Sequence, residues 1–457
     1  MPYSSDLICF AHLGWDFVYQ RPQHLMSRCA RERRVFYIEP PLFDILDGDR
    51  RLEITARGAE LRVATPHLPA SLDTVPRAAA AGERAVAAAL RALIDRMLVE
   101  QDIRAFIGWY YTPMALNPTR HLRPLVTVYD CMDELAAFTD GSPALPALER
   151  ELLARADLVF TGGYSLYEAK RALHPRVYPF PSGVDAAHFA RARQGLSDPA
   201  DQAAIPHPRL GFYGVLDERL DLDLLAGVAD ARPDWHQVFV GPVAPHKFDP
   251  ALLPRRPNLH YLGMKGYDDL PAYLAGWDVA TLPFARNRAT RYISPTKTPE
   301  YLAAGKPVVS TSIHDVVHPY GDCGLVHIAD TTAAFVAAVE RVLGADRTRR
   351  LREGDAFLAG MSWDRTWAEM DSLIADAVAV RGGAGGAGDA GRGDATTGEV
   401  SADDARDPVW PSGVAAGRYG RRPRPAPVGE RRHEGRTPSV GVRRRALSGD
   451  ARRPRIG

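Results

Sequence analysis

Short apolar, β-branched runs alternate with helix-patterned stretches along this chain, stop at a Pro-, Gly- and Asp-containing segment, and then begin again. Such alternation is the pattern of βαβ units, whose parallel strands need a helical crossover between them and are buried on both faces. In the first half, Asp6–His12 reads as a strand, Arg21–Glu32 as a helix opened by Pro22, and Arg34–Pro41 as the next strand. Ala81–Asp102 has apolar residues at helical spacing and leads into strand candidates Ile103–Tyr111 and Leu125–Asp130; Ala147–Gly163 repeats the helix-to-strand step. The interruption, Pro179–Pro208, is expected as an interdomain linker. Beyond it the rhythm restarts with Arg209–Leu216, Leu222–Pro233, Trp235–Pro242, Asn258–Lys265, Leu270–Asp278 and Val279–Phe284. Two helices with an apolar face, Thr332–Gly344 and Ser362–Val380, complete the pattern. The expectation is an α/β fold of two Rossmann-like domains over residues 1–200 and 205–362, with a last helix over 363–380.

From Arg381 the composition turns to Gly, Ala, Arg, Pro and Asp without apolar periodicity or any lysine. Such a segment cannot bury enough surface to offset its ordering entropy, so 381–457 is expected to be disordered. Its Arg421–Arg424 and Arg443–Arg445 clusters suit contact with acidic lipid or nucleic acid, or are simply solvated.

Lys plus Arg number 57 against 56 Asp plus Glu in 457 residues, so no global field draws the protein to nucleic acid and any anion site must be local. Cys9, Cys29, Cys131 and Cys323 lie far apart, which suggests neither a zinc site nor a disulfide framework and fits a reducing cytosol. No stretch reaches the ~18 consecutive apolar residues of a spanning helix, and the opening MPYSSDLICFAHLGWDF lacks the pattern of a signal peptide. A cytoplasmic protein is expected. No Gly-x-Gly-x-x-Gly follows any strand, which argues against a dehydrogenase.

The segment Arg291–Thr311 concentrates polar chemistry at a strand-to-helix loop. In doubly wound folds ligands bind outside the carboxyl ends of the strands, where helix N-termini present free N–H groups. Ser294 can cap a turn beginning at Pro295, or Thr298 one beginning at Pro299. The hydroxyls of Ser294 and Thr296 and the ammonium of Lys297 suit a diphosphate, and Glu300 suits sugar hydroxyls. Gly214 and Gly263 follow other strands of the same half and mark further loops on that edge.

SPTKTPEYLAAGKPVVST, with FYGVLDERLDLDLL, HYLGMKGYDDLPAYLAGWDVATLPF and the N-terminal WDFVYQRPQHL, resembles GT-B glycosyltransferases of the large retaining group often called family 4 (glycosyl transferases group 1). The likeness runs from about Asp6 to Val380 and looks closest to bacterial envelope and exopolysaccharide members. It implies two domains facing a cleft and a last helix that crosses back to the first domain. A nucleotide-diphosphate sugar donor is held by the second domain, and a glycan or lipid-linked acceptor by the first. No cofactor, essential metal or nucleic acid is implied, and peripheral contact with the inner membrane is compatible. Glu300 matches the second glutamate of the family's E-x7-E motif, which binds the donor ribose. Tyr292 stands where the first glutamate is expected, Val215 and Leu220 where a basic pair clamps the diphosphate, and Tyr129 where a histidine precedes Asp130. Arg219 is near enough to substitute for the basic pair.

In the first half, the loop after the first strand holds Gly14, Trp15, Asp16, Arg21 and His24. Arg21 is expected to point into the cleft and neutralise a leaving diphosphate with Arg219 and Lys297. His24 serves the cleft or is a surface residue; Trp109, Tyr110 and Tyr111 stack on a sugar or pack a core. Asp130, Asp133 and Glu134 are acid-base candidates or the acidic start of a helix. The expected activity is sugar transfer, with Arg21, Asp130 and Lys297 as its catalytic residues. An epimerase of the same fold, or a non-catalytic nucleotide-binding scaffold, are the alternatives.

Overall fold

The computed structural model describes residues 5–46, 48–74, 80–138, 142–244 and 248–385. In the first domain the strands β1 (Asp6–Phe10), β2 (Val35–Ile38), β3 (Leu42–Ile45), β4 (Arg51–Ala56), β5 (Leu61–Pro69), β6 (Phe106–Tyr110), β7 (Val126–Cys131), β8 (Leu158–Thr161) and β9 (Val177–Pro179) form one sheet. Their order is β3-β5-β2-β1-β6-β7-β8-β9, with β4 antiparallel on β5. β1, β2, β6, β7 and β8 are buried at every residue, as strands with helices on both faces must be. Leu7 and Cys9 face one apolar cluster, and Ile8 and Phe10 face the other.

The second cluster is covered by the helices Ala80–Glu100 and Leu145–Arg155. The first is covered by the last helix, Trp363–Gly385, whose Trp363, Trp367, Met370, Ile374 and Ala377 pack with Trp109, Val128 and Phe160. The chain therefore returns to its first domain after building its second. The outgoing and returning segments touch at Gly183, where a Cβ would lie 2.7 Å from the Trp363 nitrogen.

The second domain is a sheet of β10 (Arg209–Tyr213), β11 (His236–Val240), β12 (Leu259–Tyr261), β13 (Val279–Leu282), β14 (Val308–Ser310) and β15 (Val326–Ile328). All neighbours are parallel, in the order β12-β11-β10-β13-β14-β15. Each sheet reverses direction of growth once, between β1 and β6 and between β10 and β13. The carboxyl ends of those strand pairs open a crevice. The architecture is GT-B, with two Rossmann-like domains facing a cleft.

Two expectations need correction. Pro179–Pro208 is not a free linker: it holds the short helices Ala186–Ala190 and Ala200–Ala203, and Val184, Phe189, Ala192 and Ile205 share a core with Phe212 and Trp277. These apolar residues are single and irregularly spaced, so no period announces them. Residues 381–385, expected as the start of a disordered tail, continue the last helix, and Arg381 pairs with Asp157 at 2.6 Å. The rest of that segment, 386–457, lies outside the described residues. Among the described residues no helix is long and apolar enough to cross a membrane.

Candidate functional site

β10 delivers its last residue, Tyr213, to the carboxyl edge of the second sheet, and the chain turns away through Gly214 at φ +141°. That φ favours glycine, and a Cβ there would lie 2.4 Å from Cε and 2.8 Å from Nζ of Lys297, displacing its ammonium. Lys297 opens the helix Lys297–Ala303 and lays its ammonium over this turn, 5.6 Å from the Phe212 ring centre. No hydrogen bond or ion pair to that ammonium occurs among the described residues. Burial, reinforced by Arg219, lowers its pKa to about 8.

One turn on, Glu300 is 8% exposed and accepts a short hydrogen bond from the Tyr213 hydroxyl. Burial pushes its pKa up to about 7. The Tyr213 backbone N–H donates to the Tyr301 hydroxyl at 3.1 Å, so strand and helix are tied twice. Arg219 is held by both Asp217 oxygens, with Nη2 to Oδ2 at 2.6 Å, and its guanidinium lies 5.7 Å from the Phe138 ring of the first domain. Asp133, in the loop after β7, faces Arg219 and Lys297 electrostatically, and burial raises its carboxyl to about 6.

Neither expected cap starts the helix. Thr296 is its N-cap residue and makes no side-chain cap, while the Thr298 N–H donates to the Pro295 carbonyl at 3.2 Å. Pro299 falls third, where its missing N–H is still one that an α-helix leaves unpaired. The hydroxyls of Ser294 and Thr296 have no hydrogen-bond partner among the described residues. Ser294 sits against Gly163 of the first domain, where a Cβ would lie 2.5 Å from its own Cβ.

Gly263 has φ +71° and open space around it, so it shapes its turn and does not approach Lys297. Gly241, absent from the sequence reading, packs against the Gly214 turn instead: a Cβ there would lie 2.0 Å from the Gly214 carbonyl oxygen. Gly14 makes only ordinary contact with Glu39, which accepts the Trp15 N–H at 2.5 Å and holds the loop after β1.

Arg21 and Asp130 are brought together, but not into the cleft. The guanidinium grips both Asp130 oxygens at 2.8 to 3.1 Å and donates to the Phe180 carbonyl at 2.6 Å. Their side chains are 1% and 0% exposed, so each is occupied by the other and closed to solvent. Glu134 is likewise spent, on the buried Lys170 at 2.6 Å, and only Asp133 of the three acids faces the second domain. Trp109, Tyr110 and Tyr111 are core. His24 is buried, stacks on Trp363 at 4.6 Å, and is held at a pKa of about 3 by burial. Tyr129 lies in the first domain's core, and Tyr292 packs against that same cluster.

Sequence reasoning also missed Asp315, which reaches across the cleft and accepts the Ser165 N–H at 3.0 Å. A lone aspartate after SIH has no local pattern to distinguish it.

Residues 207–345 match the family model described as Glycosyl transferases group 1. That segment, less than half of the chain, is similar to glycosyl transferases group 1. It contains Gly214, Arg219, Lys297 and Glu300 together. A protein of Bacillus subtilis named as a teichuronic acid biosynthesis glycosyltransferase, TuaH, is 28% identical over 253 residues, 50% of this chain. The match spans 60% of that relative's length. Among solved structures, sucrose-phosphate synthase from Thermosynechococcus elongatus aligns with TM-score 0.62 at 14% identity, over 82% of this chain and 100% of its own. The trehalose-6-phosphate structure from E. coli bound with UDP-2-fluoro glucose aligns with TM-score 0.61 at 13% identity, over 82% and 99%. At such identities the likeness is one of fold.

Proposed function

We propose that this chain is a glycosyltransferase that moves a sugar from a nucleotide-diphosphate sugar to a glycan or lipid-linked acceptor, with retention and without an essential metal. Cell-envelope polysaccharide synthesis is the setting, as in the relative's name. The observation that carries this reading is the Lys297 ammonium over Gly214, without a hydrogen-bond or ion-pair partner among the described residues, one turn from Glu300 at the switch point of the segment similar to group 1.

In this reading Glu300 accepts the ribose hydroxyls. Lys297 and the hydroxyls of Ser294 and Thr296 hold the diphosphate, and Arg219 flanks it. As the sugar departs, negative charge grows on the diphosphate, and a cation already fixed beside it stabilises that charge without reorganising. Arg21 and Asp130 position the loops behind the cleft. A thermal-shift panel of nucleoside diphosphates tests the reading, because a ligand of the folded state raises the melting temperature by mass action. No stabilisation by any of them would remove it. Product analysis with donor alone separates transfer from epimerisation, which needs no acceptor.

Glu300→Gln is expected to weaken nucleotide binding by about 1.5 to 2 kcal/mol, since charge-assisted hydrogen bonds become neutral ones. Calorimetry checks it; an unchanged affinity would take Glu300 out of the site.

Nucleoside diphosphate affinity is expected to be bell-shaped in pH. Below about 7 Glu300 takes up a proton and loses acceptor strength, and above about 8 Lys297 gives up the proton that attracts phosphate. A nucleoside without phosphates should show only the acidic limb. Calorimetry from pH 5.5 to 9.5 reads both; a flat alkaline limb for the diphosphate would mean that Lys297 does not touch it.

A further inference from the structure

The amino ends of β13 and β14, opposite the edge that carries Lys297 and Glu300, border a cavity of about 460 Å³. Arg193, Lys306, Arg347 and Arg350 line it, and Asp278 is the acidic residue in its wall. That carboxylate is already engaged: one oxygen accepts the Arg209 N–H at 2.6 Å and lies 2.6 Å from His207 Nδ1. Lys306 donates to the carbonyls of Ala275 and Trp277 at 3.0 and 2.7 Å, which fixes the ammonium without neutralising it. Arg193 pairs its terminal nitrogens with Asp355 at 2.9 and 2.7 Å, yet its Nε is buried with no acceptor among the described residues. The Nε of Arg350 is buried in the same way, and neither Arg347 nor Arg350 has an ion pair among the described residues.

On a convex surface such charges would spread into water, whereas a concave wall focuses their field on one volume. Buried N–H donors without acceptors are uncommon in folded chains, and here two guanidinium donors border one basic hollow. Guanidinium groups match the oxygens of a phosphate, and the ammonium of Lys306 adds a fourth cation at the turn after the helix Lys297–Ala303. Burial already lowers Lys306 to about 8 and depresses Arg350, as expected where an anion would restore full charge.

We propose that this cavity binds the phosphate group of a small free anion. The site does not depend on the transferase reading, since it lies at the other end of the strands.

The test is calorimetric titration of the whole chain with inorganic phosphate at fixed ionic strength. The wild type is expected to bind saturably, Lys297→Ala to keep a saturable site because this cavity lies at the other end of the strands, and the Arg347→Ala/Arg350→Ala double variant to bind at that site at least about tenfold more weakly. Arg349→Ala removes one charge from the same helix at a residue paired with Glu353, and should bind as the wild type does. Melting temperatures check that each variant is folded. No saturable binding by the wild type, or unchanged affinity in the double variant, would overturn the proposal. So would loss of binding in Lys297→Ala alone, which would move the phosphate to the opposite edge. Sedimentation with phosphatidylglycerol vesicles, abolished in the double variant while free phosphate does not bind, would replace it with a lipid headgroup.

Discussion

Arg21→Ala is expected to lower the stability of the fold by about 3 to 5 kcal/mol, because it leaves the Asp130 carboxylate buried without a counter-charge. That carboxylate is 0% exposed and receives three of the guanidinium's contacts, while the fourth goes to the Phe180 carbonyl at the exit from the first domain. Removing the arginine therefore strips a charge partner and leaves a buried acceptor unpaired at once. Without Arg21 the folded-state pKa of Asp130 rises further above its unfolded value, since burial then loses its main opposing charge. Such a group stabilises below its unfolded pKa and loses that contribution as pH rises through the folded one. The deficit against wild type should accordingly be larger at pH 8 than at pH 5. Asp130→Asn should cost a similar amount with little relief at either pH, because an arginine cannot shed its proton. Replacing both with apolar residues of similar volume should recover much of the loss. Denaturant unfolding of the four proteins reads every value; additive costs in the double variant would mean that the pair is not coupled.

Lys297→Ala is expected to weaken nucleoside diphosphate binding by about 2 to 4 kcal/mol while changing nucleoside binding little, because only the former presents phosphates to the ammonium. The difference should shrink as salt rises, part of the attraction being Coulombic and screened over about 8 to 10 Å at ordinary ionic strength. Arg219→Ala is the comparison. Its guanidinium is already clamped by Asp217 at 2.6 Å, so the charge it offers a ligand is partly offset, and its loss should matter less. If Arg219→Ala removed diphosphate binding and Lys297→Ala left it intact, the clamp would lie on the loop after β10 and the reading of Lys297 would fail. Asp133 sharpens the test: it faces both cations across the cleft, so Asp133→Asn should tighten diphosphate binding modestly by removing a competitor.

Residue type alone misplaced Arg21 and Asp130. A guanidinium near a predicted cleft and a carboxylate after a strand have the same appearance whether they meet a substrate or each other; their separation of 109 positions hides the pairing. Thr298 is similar: threonine before proline looks like a cap, yet its hydroxyl is buried and makes no cap. The first sheet's edge was illegible for another reason. β3 and β4 alternate exposed and half-buried residues, so they carry none of the continuous apolar signal that marks β1 or β6.

What the sequence determined by itself is the alternation, and with it two largely parallel sheets with helices on their faces. Strands buried on both faces have to be apolar throughout, and their crossovers have to be helical, so both leave a local record. Glu300 and Lys297 were legible too, because a helix and its preceding loop bring them together within four residues. Tertiary structure alone decided which charges are free. Asp130 is neutralised by Arg21, Glu134 by Lys170 and Arg219 by Asp217, whereas Lys297 is left over Gly214 without a partner among the described residues. Apart from the local Asp217 pair, these outcomes depend on distances between segments far apart in the chain, and electrostatic energy depends on that separation and on burial, which no local pattern encodes.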